Sequence, residues 1–165
     1  MNGIAVLKAS LDQSWMWLMA LLVDMKDAPT TFPTPQGGNH PLWVLGHLVH
    51  SEASMVAEFI QGKQDPLAKW APLFGGGSTP ATDASKYPSM DVLLAEFEKV
   101  RAGTLRLLET STDADLDKPS KAPDHLKGLF GTVGQVLAMI GLHCTFHAGQ
   151  VADARRAAGR KPVLA

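Results

Sequence analysis

Cysteine occurs once, at Cys144, so no intramolecular disulfide can form and nothing in the chain calls for an oxidising compartment. A charge excess of either sign is also missing. Fifteen Lys and Arg stand against sixteen Asp and Glu, a net charge of −1, whereas proteins that grip phosphate backbones carry a basic surplus, so nucleic acid is not an expected partner. No run approaches the roughly 18 apolar residues that cross a bilayer. The apolar N-terminal stretch is broken by Lys8, Asp12, Asp24 and Lys26 and lacks a basic leader with a small-residue cleavage site. It therefore reads as a helix of the mature protein, and the expectation is a cytoplasmic protein with no membrane partner. Strand-type alternation and repeats of fixed period are absent as well. What is present, 45% apolar and 19% charged residues over 165 positions, is the composition and size of one globular domain spanning 1–165.

Apolar residues at Ile4, Leu7, Leu11, Trp15, Leu18, Leu22 and Met25 recur every three or four positions and predict a first helix. Pro29, Pro33, Pro35 and Gly37-Gly38 end it. Pro41 suits a first helical position with Asn39 or His40 as the cap, and Trp43 to Ile60 continue as a second helix that stops at Gly62. Residues 63–88, with four prolines and Gly75-Gly76-Gly77, read as a long excursion without an element of its own, the kind of loop that is often functional. A third helix starts after Ser89 and carries Val92, Leu93, Phe97, Val100, Leu105 and Leu108 on one side, with Glu96, Glu98, Lys99 and Arg101 assigned to the other. Thr132 and Gln135 have the spacing of a capping box and open a fourth helix that ends at Gly159. Four helices and no strands predict an all-α bundle.

His143 and His147 are four apart in that last helix, and at about 100° per residue both imidazoles fall on one side, one turn apart. The apolar stripe beside them runs through Val136, Leu137, Ile140, Cys144 and Val151, so the pair points inward, where unpartnered imidazoles are costly. His47 of the second helix flanks another apolar stripe and follows Gly46, a residue that costs a helix about 1 kcal/mol relative to alanine and leaves room for a close approach. Three neutral imidazoles with an open coordination position are the ligand set of catalytic zinc sites, and imidazole equally suits nickel, copper and iron. Zinc or nickel is the expected ion, bound by His47, His143 and His147. His50 is placed on the outer side of its helix, His40 at a helix start and His125 in a loop, and none of them joins the set.

Other constellations are poorer. His143-Cys-Thr-Phe-His147 lacks the glutamate that follows the first histidine of zinc peptidases. Cys144 lies in an apolar stripe, as a structural thiol does. Gly75-Gly76-Gly77-Ser78 has no following lysine and no preceding strand, so it is no phosphate cradle. Trp15, Trp17, Trp43 and Trp70 read as core or cleft wall, with Trp43, one turn before His47, the best placed to line the site.

Gly46-His47-Leu48, Trp70-Ala-Pro-Leu-Phe-Gly-Gly-Gly, Tyr87-Pro88-Ser89, and His143-x-x-x-His147-Ala-Gly-Gln150 followed by Arg155-Arg156-Ala-Ala-Gly159 together resemble the DinB-like superfamily over nearly the whole chain. The resemblance implies a four-helix bundle of up-down-down-up topology. It also implies a divalent metal held by one histidine of the second helix and a pair in the fourth, here His47, His143 and His147, and a homodimer. It further implies a small-molecule substrate, because relatives include transferases and isomerases that use low-molecular-weight thiols. The favoured expectation is thus a thiol-dependent transferase. A metal-dependent hydrolase with Glu52 or Glu58 as base, and a binding or stress-response module without turnover, are the alternatives.

Overall fold

Asn2, His40, Ser89 and Thr132 each precede a helix, and each side chain accepts the backbone N–H three residues on, supplying a partner to one of the donors a helix start leaves unpaired. In the computed structural model, which describes residues 2–163, these caps begin the four long helices. Seven α-helices are present among the described residues: α1 (Gly3–Val23), α2 (Pro41–Ser54), α3 (Ala71–Phe74), α4 (Met90–Glu109), α5 (Asp113–Leu116), α6 (Lys127–Phe130) and α7 (Val133–Ala157). No described helix is long and apolar enough to cross a membrane.

Of the two caps expected for α2, His40 is the one used: its Nδ1 accepts from Trp43 N–H at 3.1 Å, while its other ring nitrogen donates to Ala81 O at 2.9 Å. Other boundaries differ from the sequence expectation. The second helix leaves the α form after Ser54 and continues as a π-helix over Met55–Gln61, a winding often found at functional sites. Gly62 ends it at φ +66°, and Lys121 reaches back to satisfy the carbonyls of Phe59 and Gln61. The excursion 63–88 holds α3 between two 3₁₀ turns, and the connection before α7 holds α5 and α6, elements too short to show a period.

The long helices pair by named contacts. Ser14 O on α1 and Asp24 just after it meet Cys144 and Arg155 on α7, so these two helices run parallel. Leu11 and Lys26 meet Arg101 and Asp91, so α1 runs antiparallel to α4. Asn39, just before α2, bonds Gln150, and His47 meets His143, so α2 runs antiparallel to α7. Every residue of α2 from Pro41 to Val49 is buried. A helix apolar on all sides must be covered on all sides, and the cover is completed by Leu67 and Phe74 from the excursion, both in the same core cluster.

Arg101 corrects the expectation of a solvated face on the third helix, since it is 4% exposed. Its guanidinium donates to Glu52 Oε2 at 2.8 Å and to Leu11 O at 2.8 Å, and it lies over the rings of Trp15 and Phe97. Thr104 Oγ1 donates to the other Glu52 oxygen at 2.7 Å. Burial pushes the Glu52 carboxyl up from its ordinary value against the pull of Arg101. Sequence spacing could not reveal a partner 49 residues away. Val92 and Trp17 also differ from expectation, at 54% and 40% exposed. Because removing one partner strands a buried charge, Arg101→Met is expected to cost about 3–5 kcal/mol in urea unfolding, and the double change Glu52→Leu/Arg101→Met to recover part of that loss. An unchanged midpoint for Arg101→Met would show that the pair does not hold the core.

Candidate metal centre

Three histidines from two helices meet in the core between α2 and α7. His143 Nε2 lies 3.1 Å from His47 Nε2 and 3.0 Å from His147 Nε2. His47 and His147 are buried and His143 half-buried. Among the described residues, these three form the one group of His, Cys, Asp or Glu side chains arranged to hold a metal ion. The structure thus brings together all three residues singled out from the sequence.

What surrounds the rings decides their protonation. His47 Nδ1–H donates to Phe74 O at 2.7 Å, and His147 Nδ1–H donates to Gln150 Oε1 at 2.8 Å. A carbonyl oxygen only accepts, so the proton of each neutral ring is on Nδ1 and the Nε2 lone pair faces the other imidazoles. Burial lowers the pKa of all three from the ordinary 6.5: His143 to about 3, with His147 and His47 adding repulsion, and His147 to about 4. Two lone pairs already converge where a single proton on His143 can serve only one of them. A divalent cation serves all three, and bonds of about 2.0–2.1 Å from one ion reach nitrogens this far apart. The donor set fits such an ion.

Gly46 makes this arrangement possible. A Cβ built there would stand 2.1 Å from the Phe74 ring, so only glycine lets α3 settle on α2 with the Phe74 carbonyl against His47. Trp43 stacks on His47, centroids 4.6 Å apart and planes 10° off parallel, and its Nε1–H is shared by Leu73 O and Ser78 Oγ. It lines the site, as its spacing one turn before His47 suggests.

A cleft of about 440 Å³ opens beside His47 and His143, walled by the π-helical turn, Leu126, Phe130 and Met139. His50 is part of that wall, contrary to its expected place on an outer face: α2 has no free face here, and Asp65 of the excursion lies against it, Oδ2 3.0 Å from Nε2 but off the hydrogen-bond line. His125 is exposed on a 3₁₀ turn, as expected of a loop residue. The two glutamates considered as hydrolytic bases are occupied elsewhere, Glu52 in the buried ion pair and Glu58 at the surface accepting from Ser54. Cys144 is buried, its thiol held against Ser14 O and raised in pKa by burial, which suits a structural role. The sequence reading assigned no role to Gln150, although three residues after His147 on a helix is bonding distance. Its oxygen also accepts from Asn39 at 3.1 Å, which fixes the amide.

Two consequences can be measured. Gly46→Ala must push Phe74 away and is expected to cost about 1–3 kcal/mol and to weaken metal retention, read by urea unfolding and elemental analysis. Histidines with a folded-state pKa below the unfolded value of 6.5 bind fewer protons folded than unfolded. Chelator-treated protein should therefore keep its stability above pH 6.5 and lose it as the pH falls toward 4. The loss should be smaller in His143→Gln, and an equal loss in the variant would contradict the assignment of neutral imidazoles.

No curated protein matches this chain. The family model of the DinB superfamily matches residues 10–151, a span that contains α2, α4, all three histidines and most of α1 and α7. The chain, with its histidines gathered between α2 and α7, therefore belongs to the DinB superfamily.

Proposed function

We propose that this protein is a divalent-metal-dependent transferase that uses a low-molecular-weight thiol and acts on a small molecule, with His47, His143 and His147 as ligands and zinc or nickel as the ion. The observation that carries the reading is the convergence of three neutral imidazole nitrogens beside an open cleft. An ion bound there would supply the Lewis acidity that makes a coordinated thiol a thiolate at pH 7. The protein's own part is to hold three uncharged donors, to orient two of them through Phe74 O and Gln150, and to keep water from one side with the Trp43 ring. Uncharged donors leave the ion's full charge for an anionic sulfur.

Hydrolysis of a substrate by metal-bound water is the weaker reading, because no carboxylate among the described residues lines the cleft to take a proton. A binding module without turnover would use the same cleft to hold a ligand, and turnover of a thiol is what separates it from the transferase. The four long helices form, in this proposal, a single-domain bundle of up-down-down-up order, supported by the parallel run of α1 with α7 and the antiparallel runs beside them. A homodimer and a cytoplasmic location complete the proposal. The first draws support from Met16, Trp17, Leu142 and Phe146, which expose apolar surface on α1 and α7, the second from the absence of any need for a disulfide.

Protein purified without a nickel column is expected to carry close to one ion per chain and His147→Ala almost none. Chelation should lower the melting temperature, since an ion at 100 times its Kd stabilises by about 2.7 kcal/mol. Metal-loaded protein should conjugate a small thiol to an electrophile, and His147→Ala should not. Full turnover by metal-free protein would overturn the proposal.

A further inference from the structure

The cleft that leaves His47 and His143 has five apolar side chains in its walls. Met55 and Phe59 come from the π-helical segment, Leu126 and Phe130 from the turn and helix before α7, and Met139 stands one turn before His143 on α7. Phe59 and Phe130 meet edge to face with centroids 5.3 Å apart, which ties the π segment to α6. The remaining lining is backbone, serine and histidine, and no Asp, Glu, Lys or Arg among the described residues contributes to it. We propose that this cleft receives the uncharged apolar body of the second substrate, an aromatic or alkyl compound, with its reactive end toward the three histidines. The inference rests on the transferase reading and specifies the class of acceptor.

The physical case has three parts. A charged group lodged among the apolar side chains, away from the three histidines, would shed water and find no Asp, Glu, Lys or Arg beside it, a loss the neutral apolar body does not suffer. The volume, about 440 Å³, lies within the range of roughly 300–1,000 Å³ that small-molecule sites occupy. Methionine on two walls gives an unbranched, polarizable lining that adapts to different shapes, so a series of apolar acceptors should fit in place of one. The position matters as much as the lining. The large groove between α1 and α7 and the one beside Lys26 and Asp91 include none of the three histidines, whereas this cleft has two of them in its wall.

The test titrates the full-length, metal-loaded protein with N-phenyl-1-naphthylamine, a neutral fluorophore that brightens in apolar surroundings. Saturable binding at one site per chain is expected, and, in a chelator-treated sample where no cation attracts a sulfonate, binding about tenfold or more weaker for its sulfonated counterpart, 8-anilinonaphthalene-1-sulfonate. Met139→Glu and Leu126→Glu should each weaken the neutral probe by about tenfold, while Val92→Glu, on the exposed side of α4, should not. Leu126 sits in a half-buried surface turn, so that variant remains informative if Met139→Glu fails to fold, with melting curves reporting on both. Equal affinity for the sulfonated dye in the chelator-treated sample, or loss of binding in Val92→Glu with the lining variants unaffected, overturns the inference. Metal content measured on the same samples separates the two proposals. Probe binding that responds to Leu126→Glu in protein that takes up no ion on metal loading supports the cleft and defeats the transferase reading. One ion per chain with probe binding indifferent to the lining variants defeats the cleft alone.

Discussion

Covering α2 is the constraint on which the rest of this structure depends. From Pro41 to Val49 the helix is buried all round, so α4 and α7 cannot alone keep it from water, and the chain between residues 63 and 88 must close over the remaining side. The closing contact is Phe74 on Gly46. That same contact delivers the Phe74 carbonyl to His47 and, through the neighbouring Leu73 carbonyl and Ser78, anchors the Trp43 ring that stacks on His47. The hydrophobic demand of one helix and the orientation of one imidazole of the histidine cluster are therefore met by the same segment. This explains why a stretch rich in proline and glycine is held in place: its backbone oxygens have fixed partners in the core.

Two polar centres in the core are handled in opposite ways. Around Glu52 and Arg101 the charges are kept and neutralised in place, by each other, by Thr104, by the Leu11 carbonyl and by two aromatic faces. Around His47, His143 and His147 charge is refused: burial and mutual repulsion keep the rings neutral, and the hydrogen bonds to Phe74 and Gln150 fix two protons on the far nitrogens. The first centre satisfies nearly all of its polar atoms internally and is structural. The second leaves lone pairs converging on one point, a deficit that a cation removes. The π-helical segment begins one residue after the last turn of α2 and forms a wall of the cleft beside this second centre, so departure from regular helix and departure from internal satisfaction occur together.

Much of the fold was legible before any coordinates. Helix starts at Pro41, after Ser89 and after Thr132 follow from local chemistry, because a cap and a proline act within one turn of the residues they organise. The facing of His143 and His147 follows from helical spacing, and the cost of Gly46 inside a helix signalled a close approach there. The elements that could not be read, α3, α5 and α6, are each four residues long, shorter than the window a period requires. The change from α to π winding after Ser54 has no local signature, since Met55, Val56 and Ala57 are compatible with ordinary helix.

The amino-acid sequence by itself determined which segments become helices, where they start, and that three histidines lie on inward or flanking faces, since caps, prolines and periodicity act over a few residues. Tertiary structure alone decided through which nitrogens and at what distance His47 meets the pair on α7, that Arg101 is buried on Glu52, that His50 joins the cleft with Asp65 behind it, and that Gln150 orients His147 while held by Asn39. Apart from the bond from Gln150 to His147, these pairings join residues from 15 to 111 positions apart. They exist because the covering of α2 brings distant segments to one place, and no local rule encodes where a segment will be carried by the packing of another.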